Sequence, residues 1–237
     1  LKQHLTDLSK KVVSSNADFG IAVDPDVDRL AFMDEKGIMF GEEYTLVACA
    51  DYILSQRPGN TVSNLSSTRA LRDITEKYGG SYTASAVGEV NVVNAMKATK
   101  AVIGGEGNGG IIYPESHYGR DALVGVALFL SLLAERKISV SALRASYPSY
   151  FMGKKKIDLN PSIDVDAILV AMEAKYAHEQ ISTIDGVKID FATQWVHLRK
   201  SNTEPIIRIY TEAPSQEAAD VLGDKIISEI KAVAGIY

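Results

Sequence analysis

Three short stretches concentrate the residue types that could do chemistry. The first is Asp24-Pro25-Asp26-Val27-Asp28-Arg29. Carboxylates at alternate positions of a tight loop can converge on one hard cation, and oxygen-only ligation suits Mg²⁺ or an ion like it. Three like charges this close are costly unless something cationic offsets them, which makes a merely solvated acidic turn the weaker reading. The second is Gly104-Gly105-Glu106-Gly107-Asn108-Gly109-Gly110, where five glycines in seven residues let the backbone approach a ligand closely. Glu106 can accept from neighbouring hydroxyls of one ligand and Asn108 can both donate and accept, a pattern that suits a sugar. A plain flexible turn is the alternative. The third is Arg199-Lys200-Ser201-Asn202-Thr203-Glu204-Pro205, with Arg208 three residues on. A guanidinium, the Ser201 and Thr203 hydroxyls, the Asn202 amide and successive backbone N–H groups form a nest suited to a phosphate dianion. A polar surface turn is the alternative, with Arg208 paired to Glu204.

Competing motifs fit less well. An EF-hand also begins with acids at positions 1, 3 and 5, but its sixth position must be glycine and here it is Arg29. Phosphatases with an Asp-x-Asp nucleophile loop normally carry Thr or Val where Asp28 stands, so a third carboxylate favours a metal clamp. The glycine run lacks the Gly-Lys-Ser/Thr of a phosphate-binding P-loop and is not followed at once by a helix.

The elements that must position these loops follow from periodicity. Leu1, Leu5, Leu8, Val12 and Val13 recur at helical spacing. Strands are expected at 18–23 and 30–33, then a helix over 42–56 broken by Arg57-Pro58-Gly59-Asn60. A second group alternates strands at 61–65, 81–84 and 101–104 with helices at 68–78, 90–98 and 121–135. The last group crowds strands at 186–190, 194–198 and 206–211 between helices that start near Asp164 and Ser215. The fold class is α/β: mixed α/β layered domains followed by an α+β C-terminal domain. The expected pieces are residues 1–57 with the acidic loop, 58–150 with the glycine-rich loop and 151–237 with the Arg199 loop.

Bulk properties narrow the partners. With 46% hydrophobic and 23% charged residues the 237-residue chain can bury a proper core. A net charge of −5 argues against a non-specific nucleic-acid binder. The single cysteine, Cys49, excludes an internal disulfide and is expected as a buried thiol in a reducing compartment. The longest apolar run, residues 122–134, is shorter than the ~20 residues a membrane span needs, so a cytoplasmic protein is expected. Leu1 is not a usual initiator and the opening reads as mid-helix, as in a fragment. Apolar surface exposed at residues 1–57 would then favour a homodimer.

Taken in this order, the three loops resemble those of the α-D-phosphohexomutase superfamily: phosphoglucomutase, phosphomannomutase and phosphoglucosamine mutase. Residues 24–29 match its metal loop, usually Asp-Gly-Asp-x-Asp-Arg. Residues 106–110 match its sugar loop, commonly Glu-x-Ser-Gly-His, and 199–205 its phosphate loop, Arg-x-Ser-x-Thr-Glu-Pro. The resemblance implies four domains around a cleft, of which this chain would hold the end of domain 2, domain 3 and domain 4. It implies that Asp24, Asp26 and Asp28 hold Mg²⁺ and that Arg29 serves catalysis beside them. Glu106 and Asn108 would orient the sugar, with Arg199, Ser201, Asn202, Thr203 and Arg208 on the substrate's phosphate. Hexose 1-phosphate and hexose 6-phosphate would interconvert through an enzyme phosphoserine and a hexose 1,6-bisphosphate.

The sequence also departs from that pattern. No Thr-x-Ser-His-Asn-Pro-like serine loop occurs, so the chain alone is expected not to turn over without its missing N-terminal domains. Gly110 stands where many relatives have His, and a Lys common in domain 3 aligns near Ser66. Arg29, Arg69, His117 and Arg120 are the candidates to replace those acid/base groups. The Glu-x-Asn-Gly-Gly variant with Tyr118-Gly119-Arg120-Asp121 resembles mutases for glucosamine or mannose phosphates, with glucosamine phosphate first and glucose phosphate a further choice. A non-catalytic phosphosugar-binding module and an aspartate-nucleophile phosphatase are the rival functions.

Overall fold

The acidic loop hangs between two short antiparallel strands, β1 (Gly20–Val23) and β2 (Leu30–Met33), with Val23 opposite Leu30 at its mouth. The computed structural model describes residues 5–160, 163–201, 204 and 206–235. It separates into two compact units, Leu1–Pro148 and Ser149–Tyr237. The expected joint at 57 therefore falls inside the first unit, where α2 (Glu42–Gln56) packs against α3 (Ala70–Lys77) and α5 (Ala122–Arg136).

In the first unit a four-stranded sheet runs in the order β4 (Tyr82–Ser85), β3 (Thr61–Asn64), β5 (Ile103–Glu106), β6 (Gly110–Ile112). β3 lies parallel to β4 and β5, and β6 returns antiparallel to β5. Parallel strands need crossovers, and α3 and α4 (Glu89–Thr99) supply them. The glycine-rich stretch is thus mostly a hairpin rather than the expected loop: strand β5 continues to Glu106 and β6 begins at Gly110. Three residues of β6 carry too little alternation to announce a strand.

Aromatic packing fixes β2. Phe32 stacks on Phe129 of α5 at a centroid distance of 3.8 Å, and Phe40 meets Phe129 edge-on at 5.1 Å. Such pairs contribute about 0.5–1.5 kcal/mol beyond their buried area. Cys49 is fully buried on α2, its Sγ 3.5 Å from the Gly125 carbonyl, and burial pushes the thiol well above its ordinary range, as befits an inert structural side chain. Nearby Asp51 is buried too, accepting from Tyr78 Oη at 2.8 Å and Tyr147 Oη at 2.7 Å and pairing with Arg136 at 2.6 Å. A buried carboxylate persists only with such a complete set of partners.

The second unit is α+β, as expected. Its antiparallel sheet runs β7 (Phe151–Asp158), β11 (Ile206–Ala213), β10 (Trp195–Lys200), β9 (Val187–Asp190), β8 (Gln180–Ser182). Helices α7 (Val165–Lys175) and α8 (Gln216–Ala234) share one apolar core with the sheet, built from Ile189, Val196, Leu198, Ile207, Ile209, Met172 and Ile226 among others. Asp164 and Ser215 cap these helices through their side chains, as expected. Among the described residues no helix is long and apolar enough to cross a membrane.

Candidate functional site

The acidic loop folds back on its own first aspartate. Asp24 Oδ1 accepts from the backbone amides of Asp28 and Arg29, each at 3.1 Å, and Val27 N–H donates to the Asp24 carbonyl at 3.0 Å. Val27 adopts a left-handed backbone with φ 56°, which a β-branched residue avoids at a cost of order 1–3 kcal/mol. The strain is held in place by the Ala122 amide, which donates to the Val27 carbonyl at 3.0 Å.

The same loop is docked on the glycine hairpin. Leu30 N–H donates to the Gly109 carbonyl at 3.1 Å. Gly109 has φ 86°, and a Cβ there would run into the Leu30 carbonyl, so only glycine serves. Asp24, Arg29 and Asn108 consequently line one pocket of about 250 Å³ with Ala22, Leu30 and Glu42.

One guanidinium ties these pieces together. Arg120 Nη2 pairs with Asp28, Nη1 with Glu106 at 2.9 Å and Nε with Glu89 at 3.2 Å. Glu106 is 5% exposed; its other oxygen accepts from Asn64 Nδ2 at 2.8 Å and Gly88 N at 3.2 Å. Asn64 ends β3 and Glu106 ends the parallel neighbour β5, so both stand at carboxyl ends of parallel strands, where open α/β sheets place ligands. Ser67 extends the network, its Oγ accepting from Gly107 N at 3.0 Å and donating to Asn64 at 3.1 Å. Asn108 is half-buried and its Oδ1 accepts from Gly110 N at 3.2 Å.

Electrostatics separate the two inner aspartates. Desolvation opposes ionisation of Asp24, but the Arg29 amide, the Asp28 side chain and the Asp28 amide outweigh it and hold the carboxyl below its ordinary range. Burial and the Asp24 side chain raise Asp28 against the pull of Arg120. Arg29 Nε lies 3.9 Å from both carboxylates. Asp26 is exposed, and among the described residues no three His, Cys, Asp or Glu side chains gather tightly enough to enclose a metal ion. Asp24, Asp26 and Asp28 nonetheless offer only carboxylate oxygens on one tight loop, a donor set whose chemistry fits a hard divalent cation.

The third constellation belongs to the second unit. Arg199 ends up a quarter exposed on β10, its Nε 2.9 Å from Asp185, and stands opposite Arg208 in the β10–β11 ladder. Ser201 N–H donates to the Ile206 carbonyl at 3.0 Å. Asn202 and Thr203 lie outside the described residues. Sequence reasoning named Arg120 only as one of four substitutes and missed Asn64, Glu89 and Ser67 altogether. The signal for Arg120 was its place one residue before Asp121, which caps α5 by accepting from Leu123 N at 2.8 Å and Val124 N at 3.0 Å.

Comparisons with known proteins agree along the whole chain. Phosphoglucomutase/phosphomannomutase alpha/beta/alpha domain II matches residues 1–37, alpha/beta/alpha domain III residues 34–150 and the C-terminal domain residues 155–229. A probable phosphoglucosamine mutase of Methanopyrus kandleri is 33% identical over 97% of this chain and 51% of its own length. A phosphoglucomutase/phosphomannomutase of Thermococcus kodakarensis is 34% identical over 96% of this chain and 51% of its own. The crystal structure of a phosphoglucomutase/phosphomannomutase family protein from Burkholderia thailandensis superposes with a TM-score of 0.84 at 26% identity, covering 98% of this chain and 50% of that one. The chain thus spans about half the length of the curated relatives it matches. With all three domain matches falling in family order on the loops described above, the chain belongs to the phosphoglucomutase/phosphomannomutase family.

Proposed function

We propose that the chain is the metal-, sugar- and phosphate-recognising part of a phosphohexomutase that interconverts hexose 1-phosphate and hexose 6-phosphate. The observation that carries this reading is the Arg120 guanidinium, which joins Asp28 of the acidic loop to Glu106 of the glycine hairpin and makes one surface of them. Asp24, Asp26 and Asp28 would hold Mg²⁺, which would neutralise charge on a transferring phosphoryl group. Arg29 would share that phosphate. Asn108 faces the 250 Å³ pocket and is the residue best placed to meet sugar hydroxyls, with Glu106 fixing the hairpin behind it. Arg199, Ser201, Asn202, Thr203 and Arg208 would hold the substrate's other phosphate. A phosphoserine nucleophile and a hexose 1,6-bisphosphate intermediate belong to the same reading, the serine coming from outside these residues. Glucosamine phosphate is the first choice of sugar, the one named in a relative that covers almost the whole chain, with mannose or glucose phosphate next because a relative of those names covers it as fully. A cytoplasmic location goes with that chemistry.

The test is a mutase assay on the full-length gene product with Mg²⁺ and glucosamine, mannose or glucose 1-phosphate, beside Asp26→Asn. Turnover of at least one sugar, lost in the variant, is the expected result. A soundly folded protein that isomerises none of them would overturn the proposal and leave a phosphosugar-binding module in front.

A further inference from the structure

Arg120 occupies an unusual position. Its side chain is 15% exposed and its three nitrogens face three carboxylates, on Asp28, Glu89 and Glu106. Its backbone amide also donates to Glu89 at 3.3 Å. The space for its aliphatic stem exists because residue 110 is glycine: a Cβ there would lie 2.5 Å from Arg120 Cδ. Gly110 and Arg120 therefore form a reciprocal pair, in which the absent side chain of one makes room for the other.

The Asp28 oxygen that Arg120 holds belongs to the loop read above as the cation site. A divalent ion and a guanidinium cannot both draw fully on one carboxylate at close range, because the two cations repel each other as each is attracted. Glu89 and Glu106 are not in that loop and would retain Nε and Nη1 whatever happens at Asp28.

We infer that Arg120 is a built-in competitor for the cation: it neutralises Asp28 while the acidic loop is empty and must release it when a divalent ion binds. This rests on the proposed metal role of Asp24, Asp26 and Asp28. Arg120 is thus a positioning residue that sets metal affinity. On metal loading its Nη2 group leaves Asp28 while Glu89 and Glu106 keep the guanidinium between the two loops. The freed N–H groups then become donors for an anion, so cation and phosphate bind in support of one another.

The experiment is a Mn²⁺ titration, read by electron paramagnetic resonance on the intact protein and three variants, with Mg²⁺ competition. Arg120→Met should bind about tenfold more tightly, as expected when a unit positive charge beside a cation site is removed. Gly110→Ala leaves every charge in place and only displaces the Arg120 stem, and it should tighten binding in the same direction by about threefold. Arg120→Lys keeps the charge on a single donor group that cannot span three carboxylates, and should fall between wild type and Arg120→Met. In the unmutated protein, the Arg120 Nη2 resonance should shift as Mg²⁺ saturates the site, a readout independent of any variant's folding. Unchanged affinity in Gly110→Ala together with an unmoved resonance would overturn the inference while leaving the metal site intact. No Mn²⁺ binding by the wild type would instead overturn the metal reading and this inference with it.

Discussion

Glu106 ends a parallel strand with 5% of its surface exposed, while Arg208 stands on an antiparallel sheet with its side chain in solvent. The first unit brings Asn64 and Glu106 together at the carboxyl ends of parallel strands, and one guanidinium, Arg120, joins the buried Glu106 to Asp28 of the acidic loop and Glu89 of α4. The second lays cations along a ladder whose outer surface stays open, Lys156, Arg208 and Arg199 being register partners on β7, β11 and β10. The contrast follows from what each strand arrangement offers. Parallel strands end together at a crevice edge, where side chains from several strands converge on one point. Antiparallel ladders spread alternate residues across a face, which suits a diffuse field better than a tight cluster.

The first way to break this comparison is to loosen the frame of the acidic site. Phe129 is fully buried against Phe32 and Phe40, and β2 hangs on that contact. Phe129→Ala should cost about 3–5 kcal/mol in chemical denaturation, the usual effect of emptying a large aromatic from a packed core. Hydrogen exchange should quicken first at β2 and the acidic loop. A loss under about 1 kcal/mol would mean that the aromatic cluster does not frame the site.

The second way sharpens the comparison through pH, since the second unit carries its own buried titrating group. His197 is 1% exposed on β10, with Nε2 2.6 Å from the Asp185 carbonyl oxygen. Burial, reinforced by the Lys188 and Arg199 charges and opposed by Asp185, pushes its pKa down to about 4 from 6.5. Between those values the unfolded chain takes up a proton that the folded protein refuses, so stability rises with pH across that window. As pH falls from about 6.5 to 4 the protein should lose about 3 kcal/mol from this group, then no more of it below. Denaturant midpoints taken every half pH unit would show the slope, and His197→Gln should flatten it. An unchanged slope in that variant would assign the pH dependence elsewhere.

Much of this organisation was legible beforehand, and the reason is local. Asp24, Asp26 and Asp28 are neighbours in sequence, as are Glu106 and Asn108, so their grouping on two loops could be read without a fold. The same holds for the helix caps Asp164 and Ser215, whose partners lie within three residues. What stayed hidden depends on approach between distant segments. Asn64 reaches Glu106 across 42 residues, and Glu89 matters only because Arg120 arrives beside it. Gly110 read as a departure from a family pattern; its packing against Arg120 shows the glycine to be a spatial requirement. The domain joint expected at 57 came from a Pro-Gly break, a strong local stop that says nothing of the packing of α2 on α5.

The smallest expected effect tests the open half of the comparison. Lys156 is matched by Asp158 at 3.0 Å and Arg199 by Asp185 at 2.9 Å, whereas among the described residues Arg208 makes no ion pair. A cation flanked in register by two others carries a modest repulsive cost, since like charges directly opposite one another destabilise a sheet. Arg208→Ala should therefore leave stability within about 0.5 kcal/mol of wild type, or raise it slightly. If the ladder exists to hold an anion, the same change should weaken hexose phosphate binding by about tenfold, the scale of one lost charge-assisted hydrogen bond. Calorimetric titration of the intact protein with a hexose 6-phosphate measures both the loss and its salt dependence. Weakened binding at unchanged stability would mean that Arg208 is kept for its ligand at some expense to the sheet. Undiminished affinity would move the phosphate contact onto Arg199 and the turn beside it.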